Sequence, residues 1–186
     1  MNTIKTAWQW LGDRLQKLWH HLKGYLGLTA LLLVIMGCAQ SPAFAEQQWK
    51  VTRIYDGDTI VAQSGPQTIK LRLCGIDAPE RSQSLGRLST MSLKQILGQG
   101  NNTITFDGQE MDRYGRIIAE IFTQGPEGEI YVNAEQTRRG MAYYYSQYAV
   151  NCPGRQAILE GQQQAEAEAL GVWHSPQEKP WDYRHK

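Results

Sequence analysis

Short runs in which apolar and polar residues alternate dominate the chain between positions 49 and 132, and a period of two marks a half-buried strand. Six strands are predicted on this basis, over 49–55, 59–63, 68–74, 103–106, 116–123 and 130–132. The turn formers Asp56-Gly57, Ser64-Gly65-Pro66, Asp107-Gly108 and Gly125-Pro126 punctuate them, so an antiparallel, meander-rich sheet is expected. In 68–74 the alternation is cleanest: Ile69, Leu71 and Leu73 share a core face, while Arg72 and Cys74 point the other way. The period lengthens to that of a helix in three places. Residues 84–97 carry Leu85, Leu88, Ser92 and Ile96 before Gly98-Gln99-Gly100, and Asn133 is placed to cap a short helix ending at Gly140. A third helix, 155–170, is rich in Gln, Ala and Glu, starts after Pro153-Gly154 and stops at Gly171, with Val172 and Trp173 docking behind its end. The fold class is therefore α+β, mainly β.

Composition narrows the picture. Of 186 residues 41% are hydrophobic and 20% charged, the make-up of a folded domain and not of a disordered, collagenous or polytopic membrane chain. The formal net charge of +1 becomes −2 for residues 46–186 once the +3 of the first 45 is set aside (Lys5, Arg14, Lys17 and Lys23 against Asp13). No diffuse positive field is then available to hold a polyanion, so any phosphate chemistry must come from a few placed cations or a metal ion.

Residues 1–45 read as an address. A basic stretch, an apolar stretch of about 13 residues from Tyr25 to Gly37 and the small-x-small Ala43-Phe44-Ala45 form the order of a secretory signal, and the apolar stretch is short of the roughly 20 residues of a spanning helix. A retained anchor and lipidation at Cys38, which follows Ile35-Met36-Gly37, stay open beside cleavage. All three place the remainder outside the cytoplasm: secreted or periplasmic, membrane-anchored, or a lipoprotein. One domain over 46–175 is expected, with 176–186 a flexible tail. Cys74 and Cys152 are then either one disulfide or two buried thiols. The four histidines lack metal-ligand spacing, which argues against zinc.

Three blocks carry candidate chemistry: Asp56-Gly57-Asp58-Thr59, then Arg72 with Asp77-Ala78-Pro79-Glu80, then Asp112-Arg113-Tyr114-Gly115-Arg116. Singly, each is an ordinary turn or strand exit. Together, Asp58 and Asp77 end neighbouring strands and can converge at one rim, where two carboxylates, a backbone carbonyl and waters make a hard-oxygen site suited to Ca²⁺. Arg72 and Arg116 add planar forks that match phosphate oxygens and stay charged at any working pH. Metal, carboxylate and paired guanidinium groups make a phosphodiester-cleaving set.

These blocks, in this order and spacing, resemble the staphylococcal nuclease (thermonuclease) family, and the likeness runs from about position 49 to 173, through Gly140-Met141-Ala142 and Leu170-Gly171-Val172-Trp173. The resemblance implies an OB-fold five-stranded antiparallel barrel with three helices, and calcium-dependent attack of water on DNA or RNA phosphorus that leaves 3′-phosphate ends. It implies Asp58 and Asp77 as calcium carboxylates, the Ala78 carbonyl as a further ligand, Asp56 in the outer shell, Glu80 as general base, and Arg72 and Arg116 as phosphate-binding catalytic residues. Position 78 is Thr in the family's best-known member, a loss that should tune calcium affinity more than abolish activity. Tyr114, flanked by Arg113 and Arg116, is the candidate substrate contact, with Arg113 beside it. For the tyrosines of 143–148 the register stays open, with a core or rim role expected for at least two of the four. The expected partner is single-stranded or locally melted DNA or RNA, bound by a monomer. The competing reading is an inactive OB-type nucleic-acid or protein binding module.

Overall fold

The structure is a computed structural model that describes residues 47–186. The signal, anchor and Cys38 lipidation readings lie outside the described residues. Eight strands are present there: β1 (Trp49–Ile54), β2 (Thr59–Ser64), β3 (Gln67–Leu73), β4 (Ile76–Asp77), β5 (Thr103–Met111), β6 (Ile117–Gly125), β7 (Gly128–Tyr131) and β8 (Tyr143–Tyr144). The helices are α1 (Gly86–Gln99), α2 (Val132–Arg138), α3 (Ser146–Ala149), α4 (Arg155–Ala167) and α5 (Pro180–Tyr183), with a 3₁₀ turn at Gly171–Trp173. None of these helices is long and apolar enough to cross a membrane.

The main sheet runs β3-β2-β1-β5-β6-β7, and β3 also pairs with β6, which closes five strands into a barrel. That closure is parallel, Leu71 opposite Ile117 and Arg72 opposite Ile118, whereas every other pairing of the sheet is antiparallel. The OB-type barrel is thus mixed and not antiparallel throughout, because hairpins account for neighbours in sequence but cannot join the first meander to the second. Leu71 and Leu73 face the interior with Ile60, Ile104, Ile121 and, from α1, Leu93, Ile96 and Leu97, all essentially inaccessible. Each such side chain contributes about 1.5–3 kcal/mol by leaving water.

Two local expectations change. Asn133 does not cap α2, whose N-cap is Tyr131. Its fully buried amide accepts from the Ile121 N–H (3.0 Å) and donates to the Cys74 and Ala119 carbonyls (2.9 and 3.1 Å), so it stitches the helix to the barrel end. The segment expected to fray is folded back instead: α5 begins at buried Pro180, and Trp181 stacks on Tyr145 with ring centroids 5.0 Å apart. An aromatic ring with a flat partner loses contact area if it is left in solvent.

Cys74 and Cys152 form a disulfide, with Cα atoms 6.0 Å apart across a sequence separation of 78. It ties the exit of β3 to the loop before α4, next to the strand carrying Arg72. Replacing both cysteines by serine should lower unfolding free energy by about 2–4 kcal/mol, chiefly by freeing the unfolded chain. Urea denaturation of the oxidised protein against the double variant measures this.

Candidate active site

The turn between β1 and β2 is shaped by its own carboxylates. The Asp58 N–H donates to Asp56 Oδ1 (3.1 Å), an Asx-type bond that bends the chain so that Asp58 enters β2 with its side chain turned inward. Gly57 fits between the two because a Cβ there would overlap Ser89 Oγ and press on the Ala78 methyl. Gln136 of α2 donates to the Gly57 carbonyl (2.8 Å) and accepts from Ser92 Oγ (2.7 Å), which clamps this turn to two helices.

Asp58 is nearly buried, and its oxygens are oriented from both sides. Oδ1 accepts from Thr59 Oγ1 (3.0 Å), and Oδ2 from the Ala78 N–H (2.7 Å). Thr59 stands opposite Arg72 in the β2–β3 ladder, so Asp58 meets Arg72 at once: the guanidinium lies 3.1 Å from Asp58 and 2.9 Å from Asp77. Asp77, only 1% exposed, is fixed by the short β4–β8 ladder, where it faces Tyr143. Asp58, Arg72, Asp77 and Ala78 are therefore brought together as the first two sequence blocks imply.

Glu80 sits on the loop that leads to α1. Its N–H donates to Gln83 Oε1 (2.7 Å), its carbonyl accepts from the Gln83 N–H (2.8 Å), and the Gly86 N–H donates to the Gln83 carbonyl (3.0 Å). A Cβ at Gly86 would overlap the Glu80 carbonyl, so only glycine lets this loop close. Gly86→Ala should therefore shift the Glu80 carboxylate with the fold otherwise kept. The overlap is with backbone, so the melting temperature should fall as well, and the rate of a reaction that uses the Glu80 carboxylate is expected to fall about 10²-fold, the effect of a misplacement near 1 Å.

Arg116 lies outside this cluster of contacts. It follows the β5–β6 turn and pairs with Asp112, Nε to Oδ2 at 2.7 Å, while Asp112 Oδ1 accepts the N–H groups of Tyr114 (2.9 Å) and Arg116 (3.0 Å). Burial pushes the Asp112 carboxyl up, but these hydrogen bonds outweigh it and hold it below the usual range. Because Ile117 pairs with Leu71, Arg116 is carried to the edge of the strand that bears Arg72. Tyr114 is 65% exposed and lies 4.9 Å from the Arg113 and 5.3 Å from the Arg116 guanidinium, an open aromatic face flanked by charge. Of the tyrosines of 143–148, Tyr143 is buried, Tyr144 packs on the core, Tyr145 is half-buried and Tyr148 is exposed.

The sequence reading missed Arg184. Its guanidinium bonds both oxygens of Asp77 (3.1 and 2.8 Å) and Glu80 Oε1 (2.8 Å). The signal was available in Pro180-Trp181-Asp182-Tyr183-Arg184, a helix-starting proline followed by two aromatics, which is unlike a solvated end.

The acids of this site carry more negative charge than they can comfortably hold. Burial, and then the Asp58 charge, push the Asp56 carboxyl up to about 7. Burial also raises Asp77, even against the lowering effect of Arg184 and Arg72. Crowded carboxyls that favour a proton are those that a divalent cation would relieve. The chemistry of the donor set fits such an ion, since Asp58 and Asp77 offer hard carboxylate oxygens side by side. Among the described residues no group of three or more His, Cys, Asp or Glu side chains could form a closed metal centre.

Comparison with known proteins agrees with this architecture. The family model "Staphylococcal nuclease homologue" matches residues 70–175. The chain is 32% identical over 163 residues to a "Micrococcal nuclease" of Shigella flexneri, covering 84% of this chain and 91% of that protein. It is 34% identical over 143 residues to an "Uncharacterized endonuclease" of Escherichia coli (76% and 88%), and 30% identical over 134 residues to a "Thermonuclease" of Staphylococcus hyicus (69% and 76%). Barrel, carboxylate rim and family match converge: the chain belongs to the staphylococcal nuclease homologue family.

Proposed function

We propose that the chain is an exported, calcium-dependent nuclease that hydrolyses phosphodiester bonds of DNA and RNA with little sequence specificity and leaves 3′-phosphate ends. The observation that carries this reading is the buried pair Asp58 and Asp77, joined through Arg72, with Glu80 on the loop immediately beyond. The nuclease names of its relatives support it, and the Cys74–Cys152 disulfide is in keeping with an oxidising compartment outside the cytoplasm.

Asp58, Asp77 and the Ala78 carbonyl would hold the calcium ion. Once bound, calcium supplies positive charge that polarises the phosphodiester and acidifies nearby water. Glu80 takes the proton from the attacking water. Arg72, fixed between two buried acids, presents a rigid guanidinium to a non-bridging phosphate oxygen, and Arg116 exchanges part of its Asp112 pairing for a second one. Tyr114 offers a face on which a base can stack without regard to its identity, and Arg113 adds charge for the backbone. A net charge of −2 on residues 46–186 keeps binding local and nonprocessive.

Incubating the purified full chain with single-stranded DNA, duplex DNA and RNA, in calcium or in chelator, tests the reading. Calcium-dependent fragments with 3′-phosphate ends are expected. Folded protein that binds nucleic acid and cuts none of the three would identify a binding module instead.

A further inference from the structure

Residues 177–186 do more than pack against the barrel: they cross the loop that carries Glu80 and place a cation on its acids. Three polar contacts fasten them to that loop. The Gln83 amide donates to the Glu178 carbonyl (2.9 Å), Ser84 Oγ to Gln177 Oε1 (2.6 Å), and the Tyr183 hydroxyl to Ser82 Oγ (2.9 Å). A second anchorage is aromatic, with Trp181 stacked on Tyr145 at an interplanar angle of 11° and edge-on to Tyr143. Lys179 lies 3.8 Å from the Tyr143 ring centroid and 4.3 Å from that of Trp173.

The end of this strap is Arg184, whose fork engages both Asp77 oxygens and reaches Glu80. Those are the oxygens that a cation ligand and a general base must offer. Asp77 Oδ1 also accepts from Arg72, so with Arg184 in place neither oxygen of Asp77 is free of a guanidinium. A metal ion cannot take up Asp77 from this arrangement, and Glu80 cannot accept a proton from water through Oε1, until Arg184 withdraws. The fork is itself 41% exposed, whereas Pro180 is buried and Trp181 is stacked. The charged tip can therefore leave while the aromatic anchor stays, and the tether keeps the tip at high effective concentration.

We infer that the C-terminal strap is an autoinhibitory latch in which Arg184 stands in for a divalent cation on Asp77 and Glu80, so that calcium and Arg184 compete for the same oxygens. This rests on the reading of Asp77 as a cation ligand given above. A binding-competent state populated only while the latch is open weakens apparent affinity by that fraction, so a latch closed about nine-tenths of the time costs about tenfold.

Calorimetric titration of calcium into the full chain and into Arg184→Ala, Arg184→Gln and Lys186→Ala variants tests the latch. Lys186→Ala removes an equal charge from the same segment, but Lys186 pairs with the Glu178 carboxylate and not with Asp77 or Glu80. Both Arg184 variants should bind calcium about tenfold more tightly, and Lys186→Ala should match the wild type within about twofold. The glutamine variant, shorter than arginine, keeps the aliphatic stem and a polar end without the charge, which separates competition from lost packing. Equal or weaker binding by both Arg184 variants would overturn the latch and leave the calcium site standing. Absence of calcium binding in every protein would overturn the calcium site, and the latch with it.

Discussion

Glu80→Gln and Arg116→Ala are each expected to lower calcium-dependent cleavage of single-stranded DNA by about 10²–10⁴-fold, with thermal unfolding little changed. Glutamine fills the space of Glu80, its amide oxygen can still accept from Arg184, and its backbone N–H still donates to Gln83 Oε1, so the loop keeps its shape; it loses only the capacity to take a proton. For Arg116 the argument for an intact fold is sharper. The turn that carries it is held by Asp112 through the backbone N–H groups of Tyr114 and of residue 116, and both survive truncation of the side chain. The variant therefore deletes a guanidinium without unmaking its support. Initial rates in saturating calcium, corrected for rates in chelator, measure the loss. A fall of less than tenfold in both proteins would remove these residues from the chemistry.

Asn133→Ala should be strongly destabilising for a polar substitution that leaves the site residues untouched. Its amide satisfies one buried N–H and two buried carbonyls, on β6 and on Cys74 just after β3, where the barrel closes, and no exposed surface lets water take its place. The Ala119 carbonyl keeps the Cys74 N–H (2.8 Å), so two groups are abandoned; at about 1–3 kcal/mol each, partly relieved by relaxation, they put the expected loss near 2–4 kcal/mol. Urea unfolding should show the midpoint falling at nearly constant slope. A loss below about 1 kcal/mol would mean that the backbone groups find other partners.

Much of the site was legible from sequence because its residues sit on elements with strong local signals. Alternation over 68–74 fixed which way Arg72 points, and the Asp56-Gly57-Asp58 turn announced where β2 begins. What escaped reading depends on contacts remote along the chain. The parallel β3–β6 pairing has no local signature, since each strand reads the same whichever neighbour it finds. The β4–β8 ladder that fixes Asp77 is two residues long, too short for any periodicity to show. Asn133 carries the composition of a cap, and only the barrel wall at its side reveals that its amide is needed elsewhere. Arg184 lies in the segment whose composition predicts a flexible tail, although Trp181 and Tyr183 in the same helical turn give reason to expect a docked one.

The parallel closure of the barrel also has a kinetic meaning. Leu71 and Ile117 meet only after the hairpins on either side have formed and the intervening helix has been looped out, an entropic cost that places this contact among the later ones in folding. Arg116 reaches the Arg72 strand through that same contact. A chain that has formed only its hairpins thus holds every reactive side chain and yet no assembled centre. On dilution from urea, the moment at which cleavage returns is a clock for the barrel's closure.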